Sequence, residues 1–104
     1  LARVAQALTL NLRVGDIVAR MGGEEFCVLL PRTALGPSLE LAQRLLRCIA
    51  ESGSPAATVS MGVAEAQVDE NAADVLKRAD VALYQAKHEG RNRVVPAPSQ
   101  PGGV

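Results

Sequence analysis

Apolar residues recur through the first twelve positions at Leu1, Val4, Ala5, Leu8 and Leu12. That is helical spacing, with no initiating Met and no capping residue ahead of it, and it predicts the last turns of a helix. From Asp16 to Met21 the period changes to two, with Ile17, Ala19 and Met21 on one face, and predicts a strand. Gly22-Gly23 follows, and then a second strand-like run from Glu24 to Leu30. Two such runs around Gly-Gly predict a hairpin with the glycines in the turn, since both can take positive φ. Phe26 to Leu30 is apolar on both faces, which predicts an inner strand covered on both sides and ended by Pro31. Ser38 to Ser52 predicts a helix with Leu39, Ala42, Leu45, Leu46 and Ile49 on one face and Gly53 as its stop. Thr58 to Ala64 alternates and predicts a strand, with Val59, Met61 and Val63 on one side. Asn71 to Glu89 predicts the longest helix, with Ala72, Val75, Leu76, Ala79, Leu83 and Ala86 inward, Asn71 and Asp74 at its start and Gly90 at its end. Arg93 to Val95 predicts a short last strand. Pro96 to Val104 has no periodicity and is rich in Pro, Gly and Ser, which predicts a disordered tail. The expected organisation is one domain over 1–95 and a tail over 96–104. The expected fold class is α+β, an α/β sandwich in which helices cover a sheet.

Composition narrows the function. The 104 residues carry 11 Lys and Arg against 11 Asp and Glu, so bulk charge does not attract a polyanion. Aromatics are 2%, too few rings for a base-stacking surface, and no nucleic-acid partner is expected. No apolar run approaches a membrane span, and no secretory signal is visible. Cys27 and Cys48 lack metal spacing and read as small buried residues of a reducing compartment.

Three places could carry chemistry. In the turn Met21 to Phe26, glycines would let a ligand approach the backbone closely, and the following carboxylates could hold Mg²⁺. Glu24 and Glu25, as strand neighbours, would leave on opposite faces; the alternative is a tight hairpin with two solvated glutamates. Lys87 and Arg91 are four residues apart at the end of the last helix, where a cation pair could grip a triphosphate or simply offset the helix dipole. Arg13 and Asp16 flank a Gly-containing turn and could form an ion pair that fixes it, or offer a fork and an acceptor to a guanine and a phosphate.

Together these pieces resemble one family. Gly22 to Phe26 (GGEEF) is a form of the signature of GGDEF domains, the diguanylate cyclases of bacterial signalling. Lys77 to Asn92 (KRADVALYQAKHEGRN) is similar to that family's second motif, and Thr58 to Val63 (TVSMGV) resembles the strand between them. The resemblance covers Leu1 to Val95. It implies a nucleotide-cyclase-like palm with the signature on a hairpin. It implies an enzyme that condenses two GTP to cyclic di-GMP and pyrophosphate in an antiparallel homodimer, using Mg²⁺ or Mn²⁺. By the same resemblance Glu24 is the metal ligand and helps deprotonate the 3′-hydroxyl, with Glu25 supporting it. Gly22 and Gly23 lie along the nucleotide, and Lys87 and Arg91 hold the terminal phosphates. Arg13 and Asp16 match the family's RxxD inhibitory site for cyclic di-GMP, joined by Arg44.

The chain departs from the family in starting near the end of its second helix. The family's first strand and first helices, with a metal-binding Asp and the guanine-reading Asn and Asp, have no counterpart here. The expectation is therefore a fragment, inactive and marginally stable by itself, of an active parent with an upstream sensory domain. The competing reading is a non-catalytic cyclic di-GMP receptor using Arg13, Asp16 and Arg44; a third is a dimerisation module that binds no nucleotide. GTP chemistry and free cysteines place the chain in the cytoplasm, with membrane anchoring of the parent left open.

Overall fold

A computed structural model describes residues 6, 8, 10–13, 17–22, 25–51 and 59–98. Residues 6, 8, 10 and 11 are helical. Strand β1 (Ile17–Gly22) pairs antiparallel with β2 (Glu25–Leu29). Helix α1 (Leu35–Ala50) follows, then β3 (Met61–Val63), helix α2 (Ala72–His88) and β4 (Val94–Pro96), which lies parallel to β3. The described strands thus form two two-stranded sheets, β1-β2 and β3-β4.

The β3-β4 sheet has a helix on each face. On one side Leu45 and Ile49 of α1 join Leu8, with Leu12, Val28, Leu41, Val59 and Met61 packed around them. Val28 belongs to β2, so this cluster fastens the hairpin to the rest of the chain. On the other side Ala82 and Ala86 of α2 meet Val95 and Ala97, with Ala64 beside them. Gly62 explains why that side is built of alanines. A Cβ there would collide with the carbonyl oxygen of Ala79 and the backbone nitrogen of Leu83, so the helix backbone rests directly on the strand.

Several boundaries differ from expectation. Helix α1 begins at Leu35, earlier than Ser38, because Pro37 falls in the first turn, where no intrahelical N–H is required. Its N-cap, Ala34, has no capping side chain; instead the Leu35 N–H donates to Glu65 Oε1 at 2.9 Å, a cap supplied from 30 residues away. Of the residues expected inward on α2, Ala86 is buried and is joined by Ala82, whereas Ala72 is exposed and Leu76 is 45% exposed. Strand β2 is not covered on both sides: among the described residues it pairs only with β1, and Leu29 is 55% exposed. Cys48 is exposed rather than buried, with Asn11 Nδ2 4.0 Å from its sulfur. The folded chain also runs past residue 95. Pro96 is in β4, Ala97 is buried with its N–H on the Val63 carbonyl at 2.7 Å, and the Pro98 carbonyl accepts from Arg78. Residues 99–104 lie outside the described set.

Candidate functional site

The hairpin register is Ile17 to Leu29, Val18 to Val28, Ala19 to Cys27 and Arg20 to Phe26, and then shifts so that Gly22 pairs with Glu25. Met21 is the extra residue, a β-bulge just before the glycines. The bulge moves the connection one position along the chain. Gly22 therefore belongs to β1 rather than to the turn, and residues 23–24 join the strands. Gly23, Glu24 and Asp16 lie outside the described residues.

The second group sits where α2 ends. Lys87 is half-buried in the last turn, beside His88, whose ring stacks on Tyr84 with centroids 3.9 Å apart. The helix stops at His88, so Arg91 does not continue its spiral and the four-residue spacing does not place the two cations on one helical face. Gly90 takes φ 123°, and the Arg91 N–H reaches back to the Ala86 carbonyl at 2.9 Å, the six-to-one bond of a Schellman ending. Arg91 at φ 64° and Asn92 at φ 49° extend the left-handed run to three residues. For Arg91 that conformation costs on the order of 1 kcal/mol; Asn tolerates it better.

Sequence reasoning missed what surrounds this turn. The Asn92 N–H donates to Ser60 Oγ at 3.2 Å, Arg93 Nε donates to the Arg91 carbonyl at 3.1 Å, and the Met61 N–H donates to the Arg93 carbonyl at 2.9 Å. The signal was present: a polar residue just ahead of β3, and a cation directly after the glycine turn.

Arg13 is exposed and donates from Nη2 to Thr33 Oγ1 at 2.8 Å; Thr33 in turn donates to the Pro31 carbonyl. It therefore stands beside the loop that leads into α1. Arg44 is exposed on α1, about 14 Å along the axis from Leu35 by helical rise. With Leu39, Glu40, Gln43 and Arg47 it lines a shallow groove of about 440 Å³. Among the described residues no group of three or more His, Cys, Asp or Glu could hold a metal ion. The hairpin's adjacent carboxylates, Glu24 and Glu25, are the hard oxygen donors that suit a divalent cation. Lys87 stands in the last turn of α2 and Arg91 just beyond it, whereas the signature is carried by the β1-β2 hairpin, so the two halves of the candidate site belong to different elements.

The sequence model described as "Diguanylate cyclase, GGDEF domain" matches residues 1–93. The chain belongs to the GGDEF domain family. Among curated relatives, this GGDEF chain is 47% identical over 100 residues to diguanylate cyclase DgcM of Escherichia coli, covering 93% of this chain and 24% of DgcM. It is 42% identical over 106 residues to the response regulator PleD of Caulobacter vibrioides, covering 91% of this chain and 23% of PleD. The chain thus spans about a quarter of the length of these relatives. Among solved structures, the GGDEF domain of DgcB from Caulobacter crescentus in complex with c-di-GMP matches with TM-score 0.84 at 32% identity, covering 93% of this chain and 62% of that one. The active GGEEF domain of a diguanylate cyclase from Vibrio cholerae matches with TM-score 0.83 at 28% identity, covering 96% and 67%. No helix among the described residues is long and apolar enough to cross a membrane.

Proposed function

We propose that the protein to which this chain belongs is a diguanylate cyclase. It condenses two GTP into cyclic di-GMP, the 3′-oxygen of each attacking the α-phosphate of the other with release of two pyrophosphates. The observation that carries the reading is the intact Gly22 to Phe26 signature within a stretch 47% identical to a diguanylate cyclase.

In this reading the absence of side chains at Gly22 and Gly23 lets the nucleotide lie along the backbone. Glu24 holds a divalent cation, Mg²⁺ or Mn²⁺, and draws the proton from the 3′-hydroxyl, while Glu25 supports it. That cation, when bound, spreads the charge of the phosphates and favours the ionised hydroxyl. Lys87 and Arg91 hold the terminal phosphates, so that the leaving pyrophosphate is neutralised as it departs. Because one domain carries one GTP, attack requires a second copy, and the active form is a cytoplasmic homodimer driven by an upstream sensory domain. Arg13, Asp16 and Arg44 form a product site whose occupancy by cyclic di-GMP lowers turnover. In this reading the 104-residue chain by itself does not turn over GTP.

Incubation of the full-length protein with GTP and Mg²⁺ or Mn²⁺, with nucleotides separated by chromatography, tests this. Cyclic di-GMP is expected from the parent protein, at least a hundredfold less from Glu24→Ala, and none from the 104-residue chain. Cyclic di-GMP binding without any turnover by the parent would instead make it a receptor.

A further inference from the structure

We propose that Arg93 and Ser60 are positioning residues that aim the Arg91 guanidinium at the terminal phosphates of GTP. The inference rests on the phosphate role given to Arg91 above. A left-handed arginine persists only where its surroundings over-determine it. Here both peptide groups of Arg91 are occupied. Its N–H is on the Ala86 carbonyl at 2.9 Å and its carbonyl accepts from Arg93 Nε at 3.1 Å. The next N–H, that of Asn92, is on Ser60 Oγ at 3.2 Å. The Arg93 side chain also lies across Gly90: a Cβ at Gly90 would come within 2.7 Å of its Nη2. Its pairing with Glu89 at 3.8 Å is exposed and contributes little alone, so the bond to the Arg91 carbonyl is the contact that matters. The Arg93 carbonyl, held by the Met61 N–H at 2.9 Å, ties the turn to the start of β3. The direction in which Arg91 leaves the backbone is thereby set jointly by the end of α2, through Ala86, and by the residues just ahead of β3 and β4, Ser60 and Arg93.

The test uses the full-length protein and measures affinity and KM for GTP, and affinity for GMP, which lacks the terminal phosphates. Arg93→Ala is expected to weaken GTP roughly tenfold, as misaligned contacts do, and to leave GMP unchanged. Arg93→Lys, which keeps the stem and a charged donor, is expected to recover part of the loss. In an Arg91→Ala background, removing Arg93 is expected to change nothing further. Equal loss of GTP and GMP would reduce Arg93 to a structural role. Additive losses in the double variant would mean that Arg93 touches the phosphates itself. Either overturns the inference. Should Arg93→Ala fail to fold, Ser60→Ala carries the same comparison, with about a threefold loss for GTP alone expected for one neutral hydrogen bond; no loss there would also overturn it. If Arg91→Ala weakens GTP while both positioning variants behave as wild type, this inference alone falls. If Arg91→Ala itself leaves GTP binding unchanged, the phosphate role of Arg91 falls and the inference with it.

Discussion

Arg78 joins three parts of the chain through a single side chain. Its Nε and Nη2 grip both oxygens of Glu70 at 2.7 Å, Nη2 also reaches the Glu65 carbonyl, and Nη1 reaches the Pro98 carbonyl at 3.2 Å. Helix α2, the loop before it and the segment after β4 therefore share one guanidinium, whose planar fork suits the task better than an ammonium would. The hydrogen bond from Arg78 holds the Glu70 carboxyl below its ordinary value near 4.5, assisted by the Gln67 N–H. A lowered carboxyl pKa stabilises the fold above that ordinary value, and the contribution is lost as pH falls through the lowered one. Thermal melts from pH 7 to pH 3 are expected to show wild type losing stability below about pH 4.5. Glu70→Gln is expected to be less stable at pH 7 and flatter across the acid range; equal slopes would refute the linkage. Arg78→Lys is expected to melt several degrees lower, because one ammonium cannot reach all of these acceptors. At Asn71 the side chain accepts from the Asp74 N–H at 2.9 Å, and Asn71→Ala is expected to cost about 1 kcal/mol in denaturant unfolding.

The register of helix α2 on its sheet depends on one missing methyl group. Gly62 faces the backbone of Ala79 and Leu83, and Ala86 is fully buried against the same sheet. Gly62→Ala is expected to destabilise the protein by about 2–3 kcal/mol, since the added carbon meets main-chain atoms that cannot move alone. A neutral result in urea unfolding would mean that α2 slides freely on β3. The helix pattern in the sequence placed Ala86 inward correctly but also chose Ala72 and Leu76 and passed over Ala82, because periodicity alone does not say which part of an apolar stripe meets the sheet. The close approach at Gly62 selects Ala82. The end of α2 was legible from Gly90. The path that Arg91 takes beyond that end was not, because a stop signal says where a helix finishes and not how the following turn is held.

For the whole molecule, the two core clusters lie on opposite faces of the β3-β4 sheet and do different work. The cluster of Leu8, Leu45 and Ile49 reaches Val28 and so holds the signature hairpin; the cluster of Ala82, Ala86, Val95 and Ala97 holds α2. Leu45→Ala in the full-length protein is expected to cost about 3 kcal/mol. Amide hydrogen exchange should rise most in β1 and β2 and least in α2, which packs on the other face of the sheet. A uniform rise over all elements would show that the two clusters unfold as one unit. Such a variant would also weaken turnover through the hairpin without altering a site residue.

The order of elements, the hairpin, the two helices and the signature residues followed from the sequence alone. Period-two and period-3.6 patterns, Gly22-Gly23, Pro31 and Gly90 are local signals, and local sterics decide them. The tertiary structure decided what depends on distant partners. The bulge at Met21 exists only relative to the opposite strand. The cap that Glu65 lends to α1 joins residues 30 apart, and the alanine face of α2 exists because Gly62 lies beneath it. The left-handed turn of Gly90, Arg91 and Asn92 is held in part from Ser60 and Arg93, which no pattern within the helix announces. A short-range pattern records which residues want burial or a turn, whereas register, close approach and long-range caps are properties of two segments together.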